Sequence, residues 1–398
     1  MKNFKVEWPK RGHNYLKSEI DEISNMLTND NLGLTQGENV NQFECDFGNY
    51  IGNENCVAVM SAAHALDLIA MKIKSQTNKK KVLIPAHTYC ATALAFVRQE
   101  FEIIWIDIDP NSFTVDVEQL NKAISLYDNI AAFVLVHLYG YMSKNMSKIK
   151  EICDLNDIVL VEDCAQSLGA FSDDGIHCGN FGDYACFSFH AQKNLTTLGE
   201  GGMLVVSSKN EADQFRQLRI NGHLPFSNKN KYWLPAMVDV VETIENITPI
   251  KSTMNESQGL IGSLVLKRIN SLFEKRRNYS LRFKNEINFD SVSFQKDIGE
   301  KNHAHHLLPI RINSNKYNRD DIIEILSSDY GIQAIVQFYP LNRYDYFRKN
   351  VDDSNNLNET NLFFDNMLSL PFSPNITNSD ISYMINSFIE TIKKLELQ

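Results

Sequence analysis

Between residues 163 and 193 the chain carries side chains able to make and break bonds beside a carbonyl. Asp163 and Gln166 end and follow the apolar run DIVLVED (157–163). Ser188 and His190 lie in and just after CFSF (186–189), and Lys193 stands in the next few residues, HAQKN. A lysine leading into the glycine-rich turn LTTLGEGG is held by a tight loop, not by a solvated helix. An amine fixed there can form a Schiff base with an aldehyde cofactor. Pyridoxal phosphate needs such a lysine plus an acid that keeps its pyridine nitrogen protonated, which makes the ring an electron sink. Asp163 can supply that carboxylate. A buried Asp near a Lys is also an ordinary ion pair, and these residues alone leave both readings open.

A cofactor phosphate calls for backbone N–H groups at a helix N-terminus. SAAHAL (61–66), directly after an apolar run, offers one, because small Ser61, Ala62 and Ala63 permit close approach; an ordinary strand-to-helix turn has the same form. Ser188 can add a hydroxyl. Tyr89, in IPAHTYCAT, follows the next apolar run, where it could stack on a pyridine face or simply pack. Other patterns are weaker. HAHH (303–306) invites a metal, but its alternation suits a strand and no carboxylate accompanies it, so no metal is expected. GEGG (199–202) is not a nucleotide fingerprint, and Ser188, His190 and Asp163 lack the GxSxG elbow of a hydrolase.

These residues need strands to place them. CVAVM (56–60), KVLIP (81–85), EIIWI (102–106), AAFVLV (131–136), DIVLVED (157–163), CFSF (186–189) and GMLVVSS (202–208) are short apolar runs. Helical patterns separate most of them, including 61–74, 88–99, 117–126 and 146–155. Apolar strands with crossover helices predict a doubly wound, mainly parallel seven-stranded sheet, whose ligands sit at the strands' carboxyl ends. A long helix from Ser257 to about Asn288 then leads to a smaller C-terminal α+β domain with strands at 303–312 and 332–338 and helices at 319–330 and 379–396. The division expected is 1–250 for the large cofactor-binding domain and 251–398 for the small one with its linking helix. The Asn-rich stretches 225–231 and 350–361 read as surface loops.

The chain has 398 residues, 43% hydrophobic and 22% charged, as in an ordinary globular protein. Its net charge of −10 argues against a nucleic-acid partner. The N-terminal residues form no signal-like apolar run and no stretch approaches a membrane span, so a cytoplasmic location is expected. Seven scattered cysteines without a CxxC pair suggest buried thiols instead of disulfides or zinc.

In combination and order these motifs resemble the DegT/StrS nucleotide-sugar aminotransferases, which are pyridoxal phosphate enzymes of fold type I. The resemblance begins at GLTQGENVNQFECDFGNYIG (33–52). It runs through VAVMSAAHAL, IPAHTYCAT, WIDIDPNSFTVD, LVHLYG, VEDCAQSLGA, GDYACFSFHAQKNLTTLGEGGM, LRINGH and MNESQGLIG, and ends with FYPL and LSLPFSP. The segment from Val161 to Gly202 is its most specific part.

The resemblance implies that Lys193 is the Schiff-base lysine and proton carrier, and that Asp163 partners the pyridine nitrogen. It places Gln166 beside the ring hydroxyl, Ser188 with Ala62 and Ala63 at the phosphate, Tyr89 on the ring and His190 facing substrate. It also implies a homodimer with sites at the subunit interface, L-glutamate as amino donor, and a nucleotide-linked keto-deoxysugar as acceptor. The product would be an amino sugar for a surface polysaccharide or glycoconjugate. A cyclitol or free keto-sugar acceptor, or a non-catalytic binding protein of the same fold, are the alternatives. Three positions depart from the family pattern. The phosphate turn has Ala62-Ala63 where Gly-Thr is usual. Lys251 stands where an Asn reaches the neighbouring subunit's phosphate. Gln337-Phe338-Tyr339 replaces a common His-Tyr. Lys251 and Arg219 join Lys193 as candidate sources of local positive charge against the acidic whole.

Overall fold

The computed structural model describes residues 3–35, 37–223, 240–296, 299, 301–350 and 356–397. Helices α1 (Lys17–Thr28) and α2 (Glu38–Ile51) precede the first strand. Seven strands follow: β1 (Cys56–Val59), β2 (Lys81–Pro85), β3 (Glu102–Ile106), β4 (Ile130–Val136), β5 (Val159–Asp163), β6 (Tyr184–Ser188) and β7 (Gly202–Val206). Between and after them run α3 (Ala62–Gln76), α4 (Ala91–Arg98), α5 (Val117–Leu126), α6 (Met146–Leu155) and α7 (Lys209–Leu218). The strands form one sheet in the order β1-β7-β6-β5-β4-β2-β3, in which only β7 runs against its neighbours. The doubly wound, mainly parallel seven-stranded sheet expected from the sequence is therefore present.

Its strands are apolar on both faces because helices cover both. Along β4, Phe133 and Leu135 join the core beneath α2 and α6, while Ala132 and Val134 join the core beneath α3, α4 and α7. Helix starts are set locally. Ser61 caps α3 by accepting from the His64 N–H at 3.3 Å, and Asp116 caps α5 in a reciprocal capping box with Gln119.

The long helix expected from Ser257 to Asn288 is two helices, α8 (Glu256–Leu266) and α9 (Ile269–Glu286), broken at Lys267-Arg268. The break lets the two halves serve different cores. Ile261 and Val265 of α8 pack with Phe43 and Phe47 of α2, and the Glu256 carboxylate accepts from the N–H groups of Gly37 and Asn39 at the start of α2. Tyr279 and Phe283 of α9 instead enter the smaller core.

That core lies under a three-stranded antiparallel sheet of β8 (Val292–Phe294), β9 (Pro309–Ile312) and β10 (Met367–Ser369). The remaining helices are α10 (Arg319–Ser328), α11 (Asp345–Asn350), α12 (Asn358–Asn366) and α13 (Asn378–Glu396). Two strand expectations fail here. Only Pro309–Ile312 of 303–312 is a strand, and 332–338 makes just the isolated bridges Val6↔Ile332 and Ile335↔Ser369. Its apolar residues pack on neighbours without continuous ladder partners. Residues 225–231 lie outside the described residues, as do 351–355 of the second Asn-rich stretch. All seven cysteines are free thiols and five of them are buried. No helix among the described residues is long and apolar enough to cross a membrane.

Candidate active site

At the carboxyl edge of the large sheet lies a cavity of about 600 Å³. Strand ends build its floor: Ser61 to Ala63 after β1, Thr88 and Tyr89 after β2, Asp163 at the end of β5, and Ser188 at the end of β6. Lys193 reaches it from a loop tied back on itself, with Lys193 N–H donating to His190 O at 2.8 Å and Ala191 N–H to Gly199 O at 2.8 Å. Gly202 at the far end of this loop has to be glycine, since a Cβ would sit 2.3 Å from the carbonyl carbon of Ser61. The loop is thereby clamped to the turn at Ser61 and Ala62.

Lys193 is half-buried at the cavity, and desolvation lowers its pKa from 10.5 to about 8 despite the opposing charge of Asp163. An appreciable fraction of free amine is the consequence near neutral pH. The Asp163 carboxylate is buried and aimed, with Oδ2 accepting from Thr92 Oγ1 at 2.8 Å and Oδ1 from the Ala165 N–H at 3.1 Å. Gln166 Oε1 accepts from the Tyr139 N–H at 2.7 Å, and its NH₂ has no partner among the described residues. Tyr139 Oη in turn donates to Gln337 O at 2.7 Å, so the His87 Nε2 lying 2.8 Å away must be its donor.

The opposite wall comes from remote segments. Trp8, Pro9 and Arg11 line it together with His306, Leu307, Gln337, Phe338 and Phe372. The N-terminal strap is stapled across the lysine loop. Gly12 N–H donates to Ala191 O at 2.7 Å, Gln192 Nε2 to Pro9 O at 3.0 Å, and Arg276 Nη2 to Gly12 O at 3.0 Å. A Cβ at Gly12 would lie 1.7 Å from Lys193 O, so glycine sets how closely strap and lysine loop approach. Burial draws the enclosed Arg276 guanidinium down to about 9.

The structure brings Lys193, Asp163, Gln166, Ser188, Ala62, Ala63, Tyr89 and His190 into this one cavity. His190 sits at its edge, with Nε2 3.9 Å from Glu200 Oε1. Lys251 is exposed, forms a backbone bridge with Ile220, and does not line the cavity. Arg219 needs correction as a source of local charge, because it is buried away from the cavity with Nη1 2.6 Å from Glu44 Oε1. Its charge is spent on that carboxylate. HAHH is not a strand: His303 and His305 stack with centroids 4.4 Å apart, and only His306 faces the cavity. His137, Glu162 and Cys164 lie close enough together to ligate a cation. The Glu162 carboxylate, however, already accepts from the N–H groups of Gly179, Phe181 and Gly182 and is paired with His137 at 2.8 Å.

Reading of the sequence missed Thr92, Arg11, Glu200 and His306. Thr92 had a usable signal, a hydroxyl one helical turn beyond Thr88 at the start of a helix that follows a strand end. The strap had none, since nothing local ties residues 8–12 to a loop some 180 residues away.

The donor set suits pyridoxal phosphate. An amine of lowered pKa, a fixed carboxylate, a carboxamide whose NH₂ has no partner among the described residues, an aromatic ring and a helix N-terminus surround a cavity of ligand size. Comparison with known proteins agrees. The model of the DegT/DnrJ/EryC1/StrS aminotransferase family matches residues 14–389. The spore coat polysaccharide biosynthesis protein SpsC of Bacillus subtilis is 28% identical over 95% of this chain and 95% of its own. GDP-perosamine synthase of Vibrio cholerae is 25% identical over 77% of this chain and 78% of its own. In fold, the chain matches Helicobacter pylori PseC, an aminotransferase involved in the biosynthesis of pseudoaminic acid, with a TM-score of 0.85. The match has 20% identity and covers 98% of this chain and 100% of that one.

Proposed function

The chain belongs to the DegT/DnrJ/EryC1/StrS aminotransferase family, whose cofactor is pyridoxal phosphate, and from that premise we propose that it moves an amino group from L-glutamate to the ketone of a nucleotide-linked keto-deoxysugar. When bound, the cofactor would supply an electron sink that lets a proton leave the amine-bearing carbon of the donor and, in the second half-reaction, join that of the acceptor. The protein's own groups do the rest.

In this reading Lys193 holds the cofactor through its amine, then, once released, carries the proton between the amine-bearing carbon and the cofactor carbon. A pKa near 8 suits both duties, since the amine is neither permanently protonated nor a poor base. Asp163, fixed by Thr92 and the Ala165 N–H, keeps the pyridine nitrogen protonated. Gln166 directs its NH₂ to the ring hydroxyl, Tyr89 covers the ring, and Ser188 with the Ala62 and Ala63 N–H groups receives the phosphate. His190 faces the substrate.

The observation that carries the reading is the convergence of a lowered-pKa lysine and an oriented aspartate in one cavity of a chain matched by the family over nearly its whole length. A nucleotide-linked acceptor is supported by the relative named for GDP-perosamine, and a polysaccharide or glycoconjugate destination by the spore-coat relative. A homodimer with sites at the subunit interface is supported by Met60 and Tyr89, exposed apolar residues of the cavity wall, and by the exposed Lys251, whose neighbour Ser252 accepts through its carbonyl from the Met60 N–H at 3.1 Å. The test is a panel of nucleotide-linked 3-keto and 4-keto sugars incubated with glutamate and scored by product NMR. Amination of at least one member with release of 2-oxoglutarate is expected. Amination only of free keto-sugars or cyclitols would overturn the acceptor assignment.

A further inference from the structure

Tyr139 does not line the cavity, yet its polar atoms hold residues that do, in both walls. It follows β4, is fully buried, and sits in the left-handed region at φ 64, which few residues other than glycine adopt. In that conformation its N–H donates to Gln166 Oε1 at 2.7 Å, while its carbonyl accepts from His306 N–H at 3.0 Å and Leu307 N–H at 3.3 Å. Gly140 keeps the turn close to both partners, since a Cβ there would lie 3.0 Å from His306 N and 3.1 Å from Gln166 O. The Tyr139 hydroxyl donates to Gln337 O at 2.7 Å, and its ring lies 6.2 Å from that of Phe338, centroid to centroid. Gln337 and Phe338 have little else to fix them. The backbone bridges of their segment stop at Ile335. Among the described residues the only other hydrogen bond to the backbone of 336–339 is Gln337 N–H on Met367 Sδ at 3.4 Å, a weak acceptor.

We propose that Tyr139 is a positioning residue for the acceptor sugar: its hydroxyl pins Gln337 and Phe338, and with them the wall the sugar packs against, at a fixed distance from Gln166. This rests on the reading of the cavity as an aminotransferase site. The hydroxyl touches neither reactant and acts only through the segment it anchors. Its hold on Gln337 is separable from the hold on Gln166, because the latter comes from a peptide N–H that any side chain leaves in place.

Tyr139→Phe tests this, since it removes the hydroxyl and keeps the ring against Phe338. It also strips His87 Nε2, 2.8 Å from that oxygen, of its acceptor. His87→Leu, which deletes the donor but spares the bond from Tyr139 to Gln337, is the reference for that loss. Hydrogen exchange of the full chain without ligand, read by mass spectrometry, is expected to be about 5-fold faster over 336–340 in Tyr139→Phe, the scale of one hydrogen bond. The peptide carrying Gln166 should not change, nor should 336–340 in His87→Leu. With the acceptor that the wild type aminates fastest in the nucleotide-linked keto-sugar panel, Tyr139→Phe should raise KM about 5-fold, while kcat and the single-turnover half-reaction with glutamate stay within about twofold. A general loss of stability would instead lower both half-reactions together. If Tyr139→Phe does not keep the wild-type Tm, the double variant Tyr139→Phe with His87→Leu takes its place, because removing both partners leaves no polar group stranded. An unmoved exchange rate over 336–340, an unmoved acceptor KM, equal losses in the two half-reactions, or the same KM rise in His87→Leu overturns the proposal. If the wild type aminates no member of the panel, the functional reading falls and the exchange rates alone decide whether Tyr139 anchors the segment. If it aminates one and Tyr139→Phe shares its KM, only the role of Tyr139 falls.

Discussion

The two walls of the cavity are made in different ways. The wall proposed to face the cofactor is a row of strand ends, in which Ser61, Thr88, Asp163 and Ser188 end or follow four strands of one sheet, and their positions follow from strand register. The facing wall is assembled from Trp8, Arg11, His306, Gln337 and Phe372, drawn from the N-terminal strap and from segments beyond residue 300. A sheet edge places groups rigidly and repeatably, which suits an invariant cofactor. A wall of loops can change its side chains without disturbing the core, which suits a variable substrate. The link between them is the strap, where Gly12 and Arg276 press the second wall onto the lysine loop of the first.

Changes on the cofactor side should therefore abolish chemistry, while changes on the facing side should tune binding. Lys193→Ala is expected to have the largest effect, more than roughly 10⁴-fold in turnover, at the upper end of what loss of an acid–base group costs. A single-turnover half-reaction with glutamate measures it. Asp163→Asn comes next, with a loss of about 10²- to 10³-fold typical of removing a preorganised charge and little change in Tm, because the amide oxygen can still accept from the Ala165 N–H while the Thr92 hydroxyl turns to accept from the amide NH₂. Gly12→Ala tests the seam: a Cβ 1.7 Å from Lys193 O forces strap and loop apart. It should cost about 3 kcal/mol by overpacking, read by denaturant unfolding, and lower cofactor affinity although it lies in the other wall. Arg11→Ala should be mildest. Arg11 is exposed at the cavity and has no ion pair among the described residues. Its removal should raise KM for a nucleotide-linked sugar about 10-fold, as for loss of one charge-assisted contact, with kcat and glutamate KM kept. A fall in kcat for Arg11→Ala as large as that for Asp163→Asn would erase the distinction between the walls.

The same division governs what could be read from sequence. The large sheet was legible because its strands, such as AAFVLV and GMLVV, are apolar on both faces and bounded by helical patterns, and the site residues at their ends came with them. Residues 332–338 carry a similar apolar pattern but meet a partner only at Ile332 and Ile335, and pairing is a long-range property that periodicity does not report. The helix of 257–288 read as continuous because Lys267 and Arg268 are good helix formers, whereas the break is imposed by packing on two cores. Arg219 looked like a free cation because Glu44, its partner, is 175 positions away. His306 was hidden in HAHH, whose alternation suggested a strand while its burial in the cavity wall comes from the fold.

In the proposed function Lys193 is the amine on which the cofactor is held. Adding pyridoxal phosphate to the purified protein, reducing with borohydride and mapping the peptides measures this directly. One labelled site, Lys193, is expected, with a rate of capture that rises with pH through a midpoint near 8, because only the unprotonated amine bonds to the aldehyde. Stable label on any other lysine, or a wild-type pattern retained in Lys193→Ala, would contradict it.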